Sequence, residues 1–339
     1  MDVKTPSISP QSVLSEDIVL DQTLRPQTFA EYVGQEKIKE NLRIIVGAAR
    51  KRGEPMEHLL LHGPSGLGKT TLAYLIAKEL GASLRVTSGT ALEKAGDVGS
   101  ILTGLSDGDV LFIDEVHRLN KMVEEVINPA MENFKLDIVI GKGNSAKTLQ
   151  IDLSRFTLIA ATTKISMLSS PFRSRFGVSF HLDFYTQEEI EQIIARSANL
   201  LGVSIVPDAV PVIARSSRFT PRVANRLLKR VRDYAQMHEF PAVTGAVAQK
   251  ALSMLEIDEH GLEETDRKIL LAIVQKFDGG PVGLKSIAAA LGEEESTVED
   301  VYEPYLMRIG FLARTSKGRV VTKSGLKHLD LAREEPLNF

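Results

Sequence analysis

The sequence contains no cysteine, and this absence excludes disulfide bonds, cysteine-based zinc sites and thiol nucleophiles. It also fits a protein that works in a reducing compartment. Histidine is scarce, with seven residues and no HExxH pair, so we expect no catalytic zinc site. No run approaches the roughly 18 apolar residues of a membrane span, and the N-terminal residues show no apolar core of a signal peptide. We therefore expect a cytoplasmic protein.

Charge of one sign is also missing. The 41 Lys and Arg residues nearly balance the 44 Asp and Glu residues, which leaves a net charge of −3 at pH 7. The overall balance therefore gives no indication of nucleic acid binding, and a basic surface has to be found locally. With 339 residues, of which 43% are hydrophobic and 25% charged, the composition is that of a globular protein with two or three domains.

Four segments follow one another along the chain. Residues 1–20 are polar and aperiodic, which predicts a mobile tail. Over residues 21–185, short apolar runs alternate with helical stretches, a pattern typical of an α/β fold with a parallel sheet. Amphipathic helices without strands predict a small helical domain over residues 186–258. Three helices followed by a hairpin predict a winged-helix unit over residues 259–339. The predicted strands of the sheet are residues 58–62, 84–87, 110–114 and 157–162.

The strongest motif lies between a predicted strand and a predicted helix. Residues 63–70 have the sequence GPSGLGKT, which matches the phosphate-loop pattern GxxxxGK[ST]. Its glycines let backbone N–H groups face a polyphosphate, and the following helix adds the positive end of its dipole. Lys69 can reach the terminal phosphates, and the Thr70 hydroxyl can ligate Mg²⁺. The alternative is a chance glycine-rich turn, which this strand-to-helix context disfavours.

A second motif places two acids after an apolar strand. Residues 110–115 have the sequence VLFIDE. A buried strand would deliver Asp114 to the carboxyl edge of the sheet, where ligands bind in such folds. Asp114 can then hold the Mg²⁺ shell, while Glu115 can orient and deprotonate an attacking water. Alone, this strand could be purely structural, but after a phosphate loop it predicts a hydrolytic ATPase.

The order of motifs resembles the AAA+ ATPases, and in detail the RuvB family, the bacterial motors that drive branch migration of Holliday junctions. The resemblance covers about residues 20–330 and is carried by LRPQTFAEYVGQ, TSGTALEKAGD, LFIDEVHRLN, SPFRSRFG, TPRVANRLLKRVRDYA, GGPVGL and FLARTSKGR. It implies a P-loop parallel-sheet ATPase domain, a small helical lid domain and a C-terminal winged-helix domain. The sequence departs from the family at Ser65, where proline is more common, at Lys164, where arginine is common, and at Phe219, where glycine is usual before TPR.

The resemblance assigns roles to further residues. It implies that ATP is held by Leu24, Arg25, Gly66, Lys69, Thr70, Thr71, Glu132, Asn133, Phe134, Tyr185 and Arg222. Thr70 and Asp114 would hold Mg²⁺, and Thr163, closing the AATT strand, resembles the polar sensor of the γ-phosphate. Arg175 in SPFRSRFG resembles the arginine finger that enters the site of the neighbouring subunit. Arg173 is the competing candidate, because a spacing of two residues places both on one edge of an extended segment.

Cations surround the predicted hairpin of the winged helix. Residues 304–329 contain six Lys and Arg residues and no acid. We expect Arg314, Lys317 and Arg319 to contact DNA phosphates without reading bases, with a solvated basic face as the alternative on charge alone. The preceding helix is acidic and would repel phosphate, so the hairpin should meet the DNA. A second basic stretch, residues 209–232, is assigned to subunit contacts or solvation in preference to DNA.

An inserted hairpin is predicted after the DE strand, because two alternating stretches flank residues 141–147. Leu136, Ile138 and Ile140 fall on one face of its first strand. For a generic strand, packing on its own domain is the default. In the family this insertion protrudes and docks on RuvA, the protein that recognises the junction, so the resemblance implies that these three residues form a partner site.

The resemblance implies an ATP hydrolase that translocates DNA at four-way junctions in recombination and DNA repair. It further implies a homo-oligomeric ring, with six subunits expected, and four-way junction DNA, RuvA and a RuvC-type junction resolvase as partners. Two other classes stay open. A clamp-loader-like AAA+ ATPase would usually end in a helical collar. An ATP-switched DNA-binding regulator would carry base-reading residues on a basic recognition helix, which the acidic helix here disfavours.

Overall fold

The computed structural model describes residues 23–140 and 147–330, apart from the side chains of residues 138–140 and 147–148. The predicted mobile tail, residues 1–20, lies outside this part of the chain. The described residues divide into two units, which are treated separately below. Unit one comprises residues 23–63, 68–183 and 196–202. Unit two comprises residues 64–67, 184–195 and 203–330.

Nine strands are found in the described residues, and five of them form the predicted parallel sheet, in the order β2-β3-β6-β1-β7. The strands are β1 (Leu59–His62), β2 (Leu84–Ser88), β3 (Val110–Asp114), β4 (Lys135–Ile140), β5 (Lys147–Asp152), β6 (Thr157–Thr162), β7 (Val178–His181), β8 (Leu312–Thr315) and β9 (Gly318–Val321). β4 pairs with β5, and β8 with β9, as antiparallel hairpins. The four predicted sheet strands and both predicted hairpins are confirmed.

The helices agree with the predicted alternation. They are α1 (Glu36–Arg52), α2 (Lys69–Leu80), α3 (Ala95–Thr103), α4 (Lys121–Asn133), α5 (Ser170–Arg173), α6 (Gln187–Leu200), α7 (Ala209–Arg215), α8 (Pro221–Met237), α9 (Gly245–Met254), α10 (Glu264–Phe277), α11 (Leu284–Leu291), α12 (Glu295–Thr297), α13 (Glu303–Arg308) and α14 (Lys323–His328). In the part of the chain that the structure describes, no helix combines the length and the apolar character that crossing a membrane requires.

Burial explains why the sequence revealed β3 and β6. Every residue of β6 and the first four residues of β3 are buried, because both strands have a neighbour on each side and helices cover the sheet. Their apolar runs follow from that position. β7, which the sequence did not reveal, lies at the edge of the sheet, and its residues alternate between partial burial and exposure. A short edge strand of this kind gives no continuous apolar run.

Unit two carries the predicted helical lid and winged helix. Helices α7, α8 and α9 form the lid, with α8 opened by Thr220 and Pro221. Helices α10 and α11 and the β8–β9 hairpin enclose a second apolar core. One antiparallel bridge pairs Val282 with Arg319, so a short third segment lies beside β9 of the hairpin. The hairpin turn contains two residues, Ser316 and Lys317.

The third predicted helix of the winged-helix unit is found at residues 295–308, and it contains a π-helical turn. The chain forms α12, then a π-helical turn at Val298–Tyr302, then α13. Pro304 has no N–H to donate to the carbonyl four residues earlier, and the π turn lies directly before it. Glu303 and Tyr305, which follow the π turn, are both buried.

Candidate functional site

The phosphate loop requires glycine at two positions in unit one. Gly63 has a φ of 140°, and a Cβ there would lie 2.4 Å from the carbonyl oxygen of Leu182. Gly68 has a φ of 93°, and a Cβ there would lie 2.7 Å from the hydroxyl of Tyr32. Both glycines are therefore dictated by close packing as well as by their backbone conformation.

The loop lysine is the first residue of α2. Lys69 is buried, and its Nζ donates a hydrogen bond to the carbonyl oxygen of Gly63 at 2.8 Å. An ammonium binds a phosphate oxygen more strongly than a neutral carbonyl, because both partners are then charged. Lys69 can therefore exchange its acceptor when a polyphosphate enters the loop.

Thr70 and Asp114 come together at the carboxyl edge of the sheet. The Thr70 hydroxyl donates to Asp114 Oδ2 at 3.1 Å, and Asp114 Oδ1 accepts from the backbone N–H of Glu115 at 2.9 Å. A hydroxyl and a carboxylate are oxygen ligands of the kind that Mg²⁺ prefers. No group of three or more His, Asp or Glu side chains that could hold a metal exists among the described residues. The pair thus fits an ion that takes its other ligands from phosphates and water.

Glu115 follows β3 in a left-handed conformation. Its φ is 48°, and its side chain is about half exposed. Its carboxylate lies 3.9 Å from Arg118 Nε, at the outer limit of an ion pair. A solvent-accessible carboxylate next to Asp114 is free to accept a proton from water, as a general base must.

The sensor position departs from its prediction. β6 ends at Thr162, so Thr163 follows the strand and does not close it. Thr163 is exposed, whereas Thr162 is buried, forms a hydrogen bond with His117 Nδ1 at 3.0 Å and accepts from the Lys164 N–H at 2.9 Å. Only Thr163 of these two threonines presents its side chain to solvent.

The two finger candidates occupy different environments. Arg175 donates to the carbonyl of Pro171 at 2.5 Å and to the carboxylate of Glu132 at 3.0 Å, whereas Arg173 is exposed. The expected extended segment is wrong, because α5 includes Arg173 and turns the chain before Arg175. The structure brings Arg175 together with Glu132, another predicted site residue. Glu132 and its neighbour Asn133 are exposed at the end of α4, and Phe134 is partly buried.

Three further predicted ATP contacts, Leu24, Arg25 and Thr71, lie in unit one. Leu24 is buried, and its carbonyl accepts a hydrogen bond from Arg196 at 2.8 Å. The Arg25 guanidinium lies 3.8 Å from the centroid of the Tyr74 ring, a cation–π contact. Thr71 is partly buried in the first turn of α2.

The tip of the loop, residues 64–67, belongs to unit two. The backbone N–H of Arg222 donates to the carbonyl of Gly66 at 3.5 Å, and the Arg222 side chain is exposed. Tyr185 is buried, and its hydroxyl donates to the carbonyl of Leu67 at 3.2 Å. Two residues predicted to hold ATP therefore contact the tip of the loop.

His62 ends β1 directly before the loop. Burial lowers the pKa of His62, and the neighbouring His181 and Lys69 lower it further. The two imidazoles lie 3.1 Å apart at their Nδ1 atoms. A neutral His62 avoids adding a second cation beside the loop lysine.

The predicted DNA residues do not behave alike. Arg314 and Lys317 are exposed on the β8–β9 hairpin, although Arg314 lies 3.6 Å from Glu299. Arg319 is buried, and its guanidinium binds both carboxylate oxygens of Glu303 at 3.0 Å each. The expectation that Arg319 presents its charge to DNA is wrong for this conformation, because a buried acid already satisfies it.

The predicted partner face also needs correction. Leu136 is 1% exposed and packs into the apolar core of unit one, so it cannot dock a partner. The side chains of Ile138 and Ile140 lie outside the described part of the chain. Ile138 pairs in register with Leu149, whose side chain is 49% exposed. Residues directly opposite in an antiparallel pair share a face, so Leu149 lies on the predicted face.

Sequence reasoning missed several residues that shape these sites, namely Tyr32, His117, Thr162 and Glu303. The signal for Thr162 was weak, because the strand ends within a pair of threonines and a shift of one residue exchanges their faces. Glu303 gave no separate signal, since its partner lies 16 positions away and it is one of several acids on a helix that the sequence predicts to be solvated.

Comparisons with known proteins agree along the whole described chain. Family models match residues 24–182 as the Holliday junction DNA helicase RuvB P-loop domain, residues 185–258 as the RuvB AAA lid domain and residues 259–330 as the RuvB C-terminal winged helix domain. The structure described as the Thermotoga maritima RuvB Holliday junction branch migration motor is 50% identical, with a TM-score of 0.85, and the match covers 93% of this chain and 100% of that one. A mutant of Thermotoga maritima RuvB is 49% identical, with a TM-score of 0.85 and coverages of 92% and 100%. The chain therefore belongs to the RuvB family of AAA+ ATPases.

Proposed function

We propose that this protein is an ATP hydrolase that uses the free energy of hydrolysis to move the branch point of Holliday junctions along DNA. The observation that carries the proposal is the convergence of Lys69, Thr70 and Asp114 at one end of the sheet, in a chain whose lid and winged helix are also of the RuvB kind. This activity would serve recombination and DNA repair.

ATP binding follows from the loop geometry. Lys69 would release the carbonyl of Gly63 and bind the terminal phosphates, while the backbone of the loop surrounds them. Arg222 would act as the second sensor and Thr163 as the first, since both side chains are exposed. The remaining ATP contacts are assigned as expected from the family: Leu24, Arg25, Gly66, Thr71, Glu132, Asn133, Phe134 and Tyr185.

Mg²⁺ would be held by Thr70 and Asp114, whose oxygen atoms lie 3.1 Å apart. When bound, the ion would neutralise negative charge on the phosphates. The protein's own contribution is to keep the Asp114 carboxylate oriented, since its second oxygen accepts the backbone N–H of Glu115.

Hydrolysis is assigned to Glu115 and Arg175. Glu115 would take a proton from the attacking water. Arg175 would leave Glu132 and stabilise the transition-state charge in a neighbouring subunit, which makes hydrolysis depend on assembly. We propose a homo-oligomeric ring, with six subunits as the expected number.

DNA binding is assigned to Arg314 and Lys317, the exposed cations of the hairpin. They would contact phosphates, which are the same for every sequence, as a motor that moves along any DNA requires. Arg319 would support the hairpin through Glu303. RuvA would dock on the β4–β5 hairpin, where Leu149 is exposed, and a RuvC-type resolvase is a further partner.

The test compares the rate of ATP hydrolysis with four-way junction DNA plus RuvA and with linear duplex alone. Because a branch-migration motor is loaded at the junction, hydrolysis should be faster with the junction and RuvA, and labelled junctions should be resolved into their product duplexes. Equal hydrolysis on both substrates, with no movement of the junction, would exclude this function. The same outcome would favour the clamp-loader-like or regulatory alternatives.

A further inference from the structure

The segment directly before Arg222 has an uncommon backbone. Arg218 and Phe219 both lie in the left-handed region, with φ values of 54° and 53°. This conformation is unfavourable for residues that carry a Cβ, so it persists only where surrounding contacts enforce it. The contacts of these two residues therefore determine the path by which the chain enters α8, whose second residue is Arg222.

Arg218 is held by groups from the start of the winged helix. Its side chain is 11% exposed. Its Nε donates to the carbonyl of Gly261 at 3.0 Å, and its Nη2 donates to the carboxylate of Asp266. The Arg218 guanidinium also lies 5.3 Å from the centroid of the Tyr305 ring. One lid residue is thus bound to three positions of the winged helix.

Asp266 is costly to bury. Its residue is 0% exposed, and its Oδ1 has no hydrogen-bond partner among the described residues. Burial raises the pKa of this carboxyl, and the charge of Arg218 opposes that shift. Its Oδ2 also accepts the backbone N–H of Glu263 at 2.8 Å, which caps α10. An apolar pair could fill this space at a lower cost in free energy. We therefore attribute the Arg218–Asp266 pair to the orientation that it fixes and not to stability.

Tyr305 extends the contacts towards the hairpin. Its hydroxyl donates to the carbonyl of His260, and its ring lies 6.4 Å from that of Phe219. It shares α13 with Glu303, which binds Arg319 of β9 through both carboxylate oxygens. Helix α13 therefore connects the contacts of Arg218 to β9, one strand of the hairpin proposed to bind DNA.

Towards the phosphate loop the contacts also continue within unit two. The carbonyl of Phe219 accepts the backbone N–H of Tyr185 at 3.1 Å, and the Tyr185 hydroxyl donates to the carbonyl of Leu67 at 3.2 Å. An unbroken series of hydrogen bonds and packed rings thus leads from the tip of the loop to β9.

We propose that Arg218, Asp266 and Tyr305, here called the buried clamp, are positioning residues. They transmit the movement of Arg222 in response to bound nucleotide to the β8–β9 hairpin that binds DNA. This inference rests on the proposed function and adds to it the residues that couple hydrolysis to movement. Their contacts keep lid and winged helix in one orientation, so a displacement of α8 displaces Arg314 and Lys317 with it. Loss of the clamp lets the hairpin lag behind the lid while ATP is still cleaved.

The test measures base pairs of junction movement per ATP hydrolysed, with full-length rings, RuvA and a four-way junction. Arg218→Met removes the charge but keeps the stem of the side chain. This variant should lose at least about fivefold in the movement-to-hydrolysis ratio, the lower end of typical couplings between sites. Its affinity for ATP and its hydrolysis without DNA should stay within roughly twofold of wild type. Arg218→Lys, which keeps a charge for Asp266, should restore part of the ratio.

Arg226→Met is the matched control. Arg226 also joins the lid to the winged helix, through an ion pair of 2.8 Å with Glu263, but its side chain is 55% exposed. An exposed pair contributes little, so this variant should keep the wild-type ratio. A merely structural effect of Arg218→Met would lower the active fraction, and movement and hydrolysis would then fall together with the ratio unchanged. That result would overturn the proposal.

A double variant keeps the proposal testable if Arg218→Met does not fold. Arg218→Met with Asp266→Leu leaves no unpaired buried charge but removes the cap of α10, so part of the lost stability should return while the ratio stays low. A stable double variant with the wild-type ratio would refute the clamp. Failure of the proposed function is distinct, because wild-type protein would then hydrolyse no ATP or move no junction.

Discussion

At the scale of single residues, the side chains predicted to act on ATP already have partners in the structure. Lys69 binds Gly63, Thr70 binds Asp114 and Arg175 binds Glu132, and each of these contacts is one that a nucleotide would replace. The sequence predicted Lys69, Thr70 and Asp114 from phosphate and Mg²⁺ chemistry, whereas Arg175 and Glu132 were predicted from the resemblance to the RuvB family. It could not predict their resting partners, which arise from backbone carbonyls and acids brought close by folding.

The first prediction concerns Glu115. Glu115→Gln should bind ATP with nearly wild-type affinity but hydrolyse it about 10²–10⁴-fold more slowly, because an amide cannot accept the proton of the attacking water. Lys69→Ala should abolish ATP binding instead, since it removes the cation of the loop. Fluorescent-nucleotide titration and phosphate release separate the two effects. Glu125→Gln, at an exposed position of α4, is the control, and normal turnover in Glu115→Gln would refute the base assignment.

The second prediction concerns His58, which precedes β1. Its Nδ1 accepts the backbone N–H of Leu158 at 2.9 Å, so its Nε2 must carry the proton that it donates to the carbonyl of Met131. Burial lowers the pKa of His58 below its usual value of about 6.5. Below that pH the unfolded chain binds a proton that the folded chain does not, so the free energy of unfolding falls as the pH falls.

Denaturant unfolding between pH 7.5 and 5.5 measures this loss, to which His58 should contribute at most about 1.4 kcal/mol per pH unit. His58→Gln should flatten the slope, and the remainder is expected from His62, whose pKa burial also lowers. His238→Gln, at an exposed position, is the matched control and should keep the wild-type slope. An equal slope in wild type and His58→Gln would refute the assignment.

At the scale of elements, the β4–β5 hairpin shows what a periodic pattern leaves open. Alternation predicted that Leu136, Ile138 and Ile140 share a face, of which the structure describes only the side chain of Leu136. Leu136 pairs with Ile151, so Leu149, two residues before Ile151, lies on the same face as Leu136. Alternation could not show where along the strand that face leaves the core. Leu136 packs inside unit one, whereas Leu149, further towards the hairpin tip, is exposed.

The third prediction follows from that difference. Leu149→Ala should weaken binding to RuvA in a titration and leave the free energy of unfolding almost unchanged. Leu136→Ala should lower the free energy of unfolding by about 2–5 kcal/mol, because it opens a cavity in the core. Measuring RuvA binding and denaturant unfolding for both variants tests the assignment. Undiminished RuvA binding by Leu149→Ala would exclude this residue from the docking surface.

At the scale of the whole molecule, the finger assignment requires assembly. Arg175 would act on the ATP of a neighbour, so a single chain holds only part of each working site. The fourth prediction is therefore complementation. Arg175→Ala subunits and Lys69→Ala subunits should each be inactive in ATP hydrolysis, but mixed rings should regain part of the activity, because each supplies what the other lacks. No recovery in well-formed mixed rings would argue against a finger in trans.

Sequence by itself determined the parallel sheet, the phosphate loop, the DE strand and the two hairpins, because each has a local pattern of apolar periodicity, glycine or charge. Only the tertiary structure decided which of the predicted charged residues are exposed to solvent. Arg319 was expected at the DNA surface but is held by Glu303, and Arg218 in a basic stretch is buried against Asp266. Such pairs join positions far apart in the chain. The sequence around a charged residue therefore does not show whether folding buries its side chain or leaves it exposed to water.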